Sequence, residues 1–114
     1  MASVPTDLAS VFRPSVQPYL ISWFRYAPAV EMAKLKILVL VVQGTADLQM
    51  TAMDASLLAG AAMHGMLATI ENMTHPLKLA TPSDPKQMAA YTDLSLPLAP
   101  GLLPPLDAFV ASSL

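Results

Sequence analysis

Ile37-Leu38-Val39-Leu40-Val41-Val42-Gln43-Gly44-Thr45-Ala46-Asp47 is the stretch on which the fold turns. Its first six residues are apolar without interruption and rich in β-branched side chains. A strand buried on both faces reads this way, and such strands belong to parallel sheets. The spacing predicts a strand over Ile37–Gln43, ended by Gly44. Six apolar residues are far too few to cross a bilayer, which takes about 20 in a helix.

Downstream, Thr51-Ala52-Met53-Asp54 has the capping-box pattern that opens a helix. Leu57, Leu58, Ala61 and Ala62 supply its apolar face, and His64-Gly65 reads as its C-terminus, with His64 favoured there by the helix dipole. Met66–Ile70 is a second short apolar strand. Glu71–Pro85 reads as loop and Lys86–Tyr91 as a short helix. Four prolines between Asp93 and Pro105 predict an irregular or extended segment, and Leu106–Leu114 a closing helix.

Upstream, residues 1–14 read as loop with one helical turn around Asp7–Phe12, closed by Pro14. Residues 15–26 hold Tyr19, Trp23, Phe24 and Tyr26, with Leu20, Trp23 and Phe24 at helical spacing. Pro28 suits the first turn of a helix over Ala29–Leu35, with Glu31 near its start. The aromatic cluster fits packing, or a lid over a site.

The order helix, strand, helix, strand, helix implies an α/β fold with a right-handed βαβ unit. Two parallel strands leave two unpaired edges and are not a stable sheet alone. The reading is therefore a cap- or linker-like helical segment over residues 1–28. Residues 29–114 then form a βαβα part of a larger doubly wound domain.

Composition agrees. The 114 residues are 54% hydrophobic and 12% charged, too apolar for a disordered chain and richer in apolar residues than a core of this size needs. The net charge of −2, with no basic stretch, argues against nucleic acid as a partner. No cysteine is present, which excludes disulfides and thiolate chemistry. Met1–Asp7 has no basic region leading into an apolar core, so no secretory signal is visible and the cytoplasm is the favoured compartment. No His, Asp or Glu cluster has metal-ligand spacing, so neither metal nor cofactor is expected.

In open α/β sheets, functional groups gather beyond the C-terminal strand ends. The first strand runs into Gly44-Thr45-Ala46-Asp47 and the second into Glu71-Asn72-Met73-Thr74-His75. Parallel neighbours place both turns on one rim, where Asp47 and His75 are expected to be able to meet although 28 residues separate them. Such a carboxylate fixes the tautomer of the imidazole and stabilises the imidazolium formed during proton abstraction. Each residue also has an ordinary reading: Asp47 as a turn residue, His75 as a solvent-exposed loop histidine before Pro76.

The segment Lys34–Asp47 resembles the α/β-hydrolase strand that runs into a Gly-x-x-Asp turn, and Asn72-Met73-Thr74-His75 resembles the later turn that bears the family's histidine. Phe12–Leu20 and Ser95–Leu102 look like the serine-aminopeptidase or esterase-like branch. The resemblance spans nearly the whole chain. It implies a catalytic triad in which Asp47 is the acid and His75 the general base, acting on a small acyl ester or peptide. Leu38 stands where the family commonly has proline, and Ala27 where an acidic or amide residue often precedes Pro28.

The third departure is larger. No Gly-x-Ser-x-Gly occurs among the 114 residues, and Ser22, Ser56 and Ser83 lie in no strand-to-helix elbow. The expectation is a hydrolase portion that is inactive alone and needs an N-terminal half or self-association. The alternative is a non-catalytic interaction module or degenerate pseudoenzyme. Met50, Met53, Met63, Met66 and Met73 flank the two turns, as core filling or as the wall of an apolar substrate pocket.

Overall fold

The computed structural model describes residues 8–114. The reading of Met1–Asp7, including the start of the turn placed at Asp7, lies outside them. From Leu8 the turn is present, with the Val11 and Phe12 amides donating to the Leu8 carbonyl.

A 3-10 turn, Pro14–Val16, leads into helix α1, Gln17–Trp23. Tyr19 and Trp23 sit one turn apart on α1, their rings 4.9 Å between centroids. Helix α2, Pro28–Met32, has its proline at the first turn, where a missing N–H costs nothing. It is shorter than the expected Ala29–Leu35 because its last turn tightens: Lys34 and Leu35 donate to Glu31 and Met32 three residues back.

Strands β1, Leu38–Gly44, and β2, His64–Ile70, form a two-stranded parallel sheet in register from Leu38↔His64 to Gly44↔Ile70. Helix α3, Ala52–Ala61, connects them and opens with the expected capping box, Thr51 and Asp54 each bonding the other's backbone amide. Two further helices, α4, Lys86–Thr92, and α5, Leu103–Ser113, complete the chain. The protein is thus mixed α/β, a two-stranded parallel sheet with flanking helices.

Two expectations need correction. His64 and Gly65 do not end a helix; they begin β2. The C-cap residue, Ala62, already has extended backbone angles (φ −71°, ψ 135°), so the chain passes from helix to strand without a left-handed residue. Gly65 serves a different purpose. A Cβ there would lie 1.9 Å from the Ala59 carbonyl oxygen, so glycine lets the end of α3 lie on the sheet. Secondly, α5 starts at Leu103, not Leu106, because Pro104 and Pro105 fall in its first turn.

Partnered residues of parallel strands share a face. Gly65 therefore marks the α3 face, with Val39 and Val41. The opposite face carries Val42 and Ile70, which pack with Met73, Ala99, Leu102 and Leu106 of the α5 side. That small cluster is the core.

The strands are less buried than the sequence suggests. In β1 only Gln43 and Gly44 are fully buried, and β2 is exposed over much of its length. The accessible surface is 8325 Å². A compact monomer of 12.1 kDa exposes about 6000 Å². The radius of gyration, 17.3 Å, likewise exceeds the ~13 Å of a compact chain of this length. Exposed apolar side chains include Trp23, Phe24, Tyr26, Ile37 and Leu67. Among the described residues, no helix is long and apolar enough to cross a membrane.

Candidate functional site

The two turns beyond the strand ends are stitched together by backbone bonds. Thr45 N–H donates to the Ile70 carbonyl (3.0 Å) and Ala46 N–H to the Met73 carbonyl (3.1 Å). The Thr45 hydroxyl accepts from the Asn72 amide at 2.8 Å. Gly44 makes this approach feasible. A Cβ there would lie 1.9 Å from the Met73 carbonyl oxygen, well inside contact distance.

Residues 72–80, expected as plain loop, fold back as a narrow hairpin. Met73 bridges Leu79 antiparallel, Thr74 N–H donates to the Lys78 carbonyl, and Ala80 N–H to the Asn72 carbonyl. Its three-residue tip is His75-Pro76-Leu77, closed by the Leu77 amide on the Thr74 carbonyl. Leu77 takes φ 66°, the left-handed region that tip geometry demands and where glycine or asparagine is usual. The hairpin's second arm is itself held, since Lys78 bridges Leu98 and Ala99 N–H donates to the Leu77 carbonyl. The proline-rich segment is therefore a brace for the tip.

At the rim, His75 Nδ1 lies 3.0 Å from Asp47 Oδ2. The other carboxylate oxygen, Oδ1, accepts from the Gln49 (2.8 Å) and Met50 (3.0 Å) amides. Burial works against the charge on Asp47. The Met50 and Gln49 amides, together with His75, outweigh it and hold the carboxyl below its ordinary value. An ionised carboxylate can only accept, so in this contact Nδ1 of His75 is the donor, and Nε2 is the ring nitrogen directed away from Asp47. The Asp47 side chain is only 9% exposed, whereas that of His75 is 43% exposed. The acid is sheltered and the imidazole is open, an arrangement suited to proton abstraction from an incoming group.

A cleft of about 240 Å³ opens beside the pair. It touches four consecutive residues of β1, Val41 to Gly44. Successive strand residues point to opposite faces, so a cleft touching all four runs along the strand's edge. β2 occupies the other edge; this one is unpaired among the described residues. Met50, Ala55, Leu58, Met73 and Leu77 form apolar walls.

Of the flanking methionines, Met50 and Met73 border the cleft but only Met73 is buried; Met50, Met53, Met63 and Met66 are solvent-exposed. The hydroxyls of Ser22 and Ser56 bond carbonyls of their own helices. Among the described residues, no three His, Asp or Glu side chains converge as metal ligands.

One contributor gave no sequence signal. Gln87 of α4, 5% exposed, donates through Nε2 to the Ala46 carbonyl, next to Asp47. Glutamines on short helices are commonplace, and nothing local marks one that reaches back 41 residues. The chain matches no protein-family model, no curated protein and no solved structure.

Proposed function

We propose that this chain is the acid-and-histidine portion of a serine hydrolase of α/β-hydrolase type, needing a nucleophile-bearing partner segment for turnover. The observation that carries this is the 3.0 Å contact between His75 Nδ1 and Asp47 Oδ2, formed across 28 residues by two turns on one sheet rim. Order and geometry support it. The acid precedes the histidine, each follows a parallel strand, and the ring nitrogen left free is the one a serine hydroxyl would approach. In this reading His75 takes the serine proton and returns it to the leaving group. Asp47 holds the tautomer and steadies the imidazolium. The substrate class is a small acyl ester or peptide.

The unpaired β1 edge and the surplus of about 2300 Å² over a compact monomer support the need for more polypeptide. An area of that order matches an obligate interface.

The test supplies a Gly-x-Ser-x-Gly-bearing N-terminal half in trans and follows p-nitrophenyl ester cleavage. The chain alone should accelerate cleavage by no more than about 10²-fold, the scale of unaided general-base help. The assembled pair should turn over and lose activity with His75→Ala. Full activity of the His75→Ala assembly sinks the assignment.

The exposed apolar surface also favours a second reading, a non-catalytic interaction module. It predicts self-association in size-exclusion chromatography and no turnover in any pairing. A well-folded monomer of 12.1 kDa would contradict the claim that the sheet is incomplete.

A further inference from the structure

We propose that Gln87 and Tyr91 of α4 are positioning residues that clamp the Asp47 turn from both sides. Gln87 Nε2 donates to the Ala46 carbonyl (3.0 Å), on the N-terminal flank of Asp47. Tyr91 Oη accepts from Gln49 Nε2 (3.1 Å), on its C-terminal flank. Gln87 and Tyr91 are four residues apart, which puts them on one face of α4. One rigid element thus holds both ends of the turn that carries the acid.

The chemistry of Gln87 argues for a role beyond packing. Its second amide proton is spent on the Thr81 carbonyl (3.2 Å), so both donors are used. Its carbonyl oxygen is buried and accepts no hydrogen bond among the described residues. An unpaired buried acceptor is costly, and a methionine of similar shape avoids it. What the amide supplies and a methionine would not is its two donated hydrogen bonds. Ala46 is 1% exposed, so its carbonyl depends on a protein donor on that side. Without the clamp, the Gly44–Asp47 turn keeps its bonds to Ile70 and Met73 but loses its outer restraint. The carboxylate then moves against the imidazole.

This inference rests on the Asp47–His75 pairing proposed above, and the experiment separates the two. In the full 114-residue chain, NMR follows the His75 Nδ1–H proton and the exchange of the Gln49 and Met50 amides that bond Asp47. In the unaltered chain the proton should be visible and the two amides protected. Gln87→Met and Tyr91→Phe should each keep the fold by circular dichroism. Each should broaden the Nδ1–H signal and speed exchange of the two amides by roughly five- to tenfold, with Gln87→Met the stronger. A merely structural role would raise exchange across α4 and the sheet alike and leave the Nδ1–H signal sharp. If both folded variants leave proton and amides unchanged, the clamp is refuted while the pairing stands. If the imidazole nitrogen shifts of the unaltered chain place the proton on Nε2 and leave Nδ1 bare, the pairing itself fails and the clamp with it. Should Gln87→Met not fold, the Tyr91→Phe result decides, because Tyr91 is partly exposed and loses only its hydroxyl.

Discussion

Replacing Gly44 by alanine should separate acid from histidine without touching either. The Cβ added at this position would stand 1.9 Å from the Met73 carbonyl oxygen, 2.6 Å from its carbonyl carbon and 3.0 Å from its Cβ. Ordinary contact begins near 3.4 Å, so the two turns must part by about 1.5 Å. The obstacle is backbone, which cannot swing aside as a long side chain does. The Asp47–His75 contact starts at 3.0 Å. A displacement of even half the required amount carries it past hydrogen-bonding range. The Thr45–Ile70, Ala46–Met73 and Asn72–Thr45 bonds cross the same gap. At about 1 kcal/mol net for each, their loss costs on the order of 3 kcal/mol, a large share of the 5–15 kcal/mol of a typical domain.

Gly60 is the control. It lies exposed within α3, and a Cβ there meets nothing within 4 Å. Alanine at Gly60 should stabilise by up to ~1 kcal/mol through helix propensity alone. Urea denaturation followed by circular dichroism measures both changes, and the His75 Nδ1–H resonance reports the pair. Gly44→Ala with unchanged stability and an intact resonance would refute the claim that glycine at this position sets the distance between the turns.

Three further outcomes follow from the same geometry. The Asp47 carboxyl titrates below its ordinary value of 3.8 when folded, so the unfolded chain binds its proton more readily. Its contribution to stability is complete above that ordinary value and is lost as pH falls through the folded one. Asp47→Asn should flatten this acid limb in urea melts from pH 5 down to pH 2, and an unchanged slope argues against a stabilised carboxylate. Leu77→Asn should raise stability by about 0.5 kcal/mol, since asparagine tolerates the left-handed φ of 66° better than leucine, and a lowered thermal midpoint would show that leucine's wall contact outweighs the strain. Thr51→Ala removes the capping hydroxyl that accepts from the Asp54 amide and should cost about 1 kcal/mol of stability, read as a lowered urea midpoint, with the Asp47–His75 signal unaffected.

What could be read from the residues follows the range of the forces involved. The apolar run before Gly44 and the Thr51–Asp54 box are local signals; the strand forms within a residue of where the pattern puts it, and the helix starts directly after Thr51. Asp47 and His75 were legible for a topological reason: parallel neighbours have coincident C-terminal rims, so two turns on one edge meet whatever lies between. The error at His64-Gly65 shows where local reasoning ends. Glycine there reads as a helix stop only if backbone freedom is its purpose; its purpose is space beneath the Ala59 carbonyl, fixed by how α3 lies on the sheet. The hairpin tip and the Gln87 contact escape for the same cause. Each depends on a partner distant in the chain, Leu98 and Ala99 for the one and Ala46 for the other, and neither partner leaves a periodic trace. The expected double burial of β1 marks the opposite case. Its residues are apolar enough to be covered on both faces and along both edges, yet the strand is fully buried only at Gln43 and Gly44. The pattern in Ile37–Val42 thus asks for more covering than these helices provide, and one edge of β1, unpaired among the described residues, borders the cleft beside Asp47 and His75. Whatever polypeptide completes that edge would be laid against the imidazole.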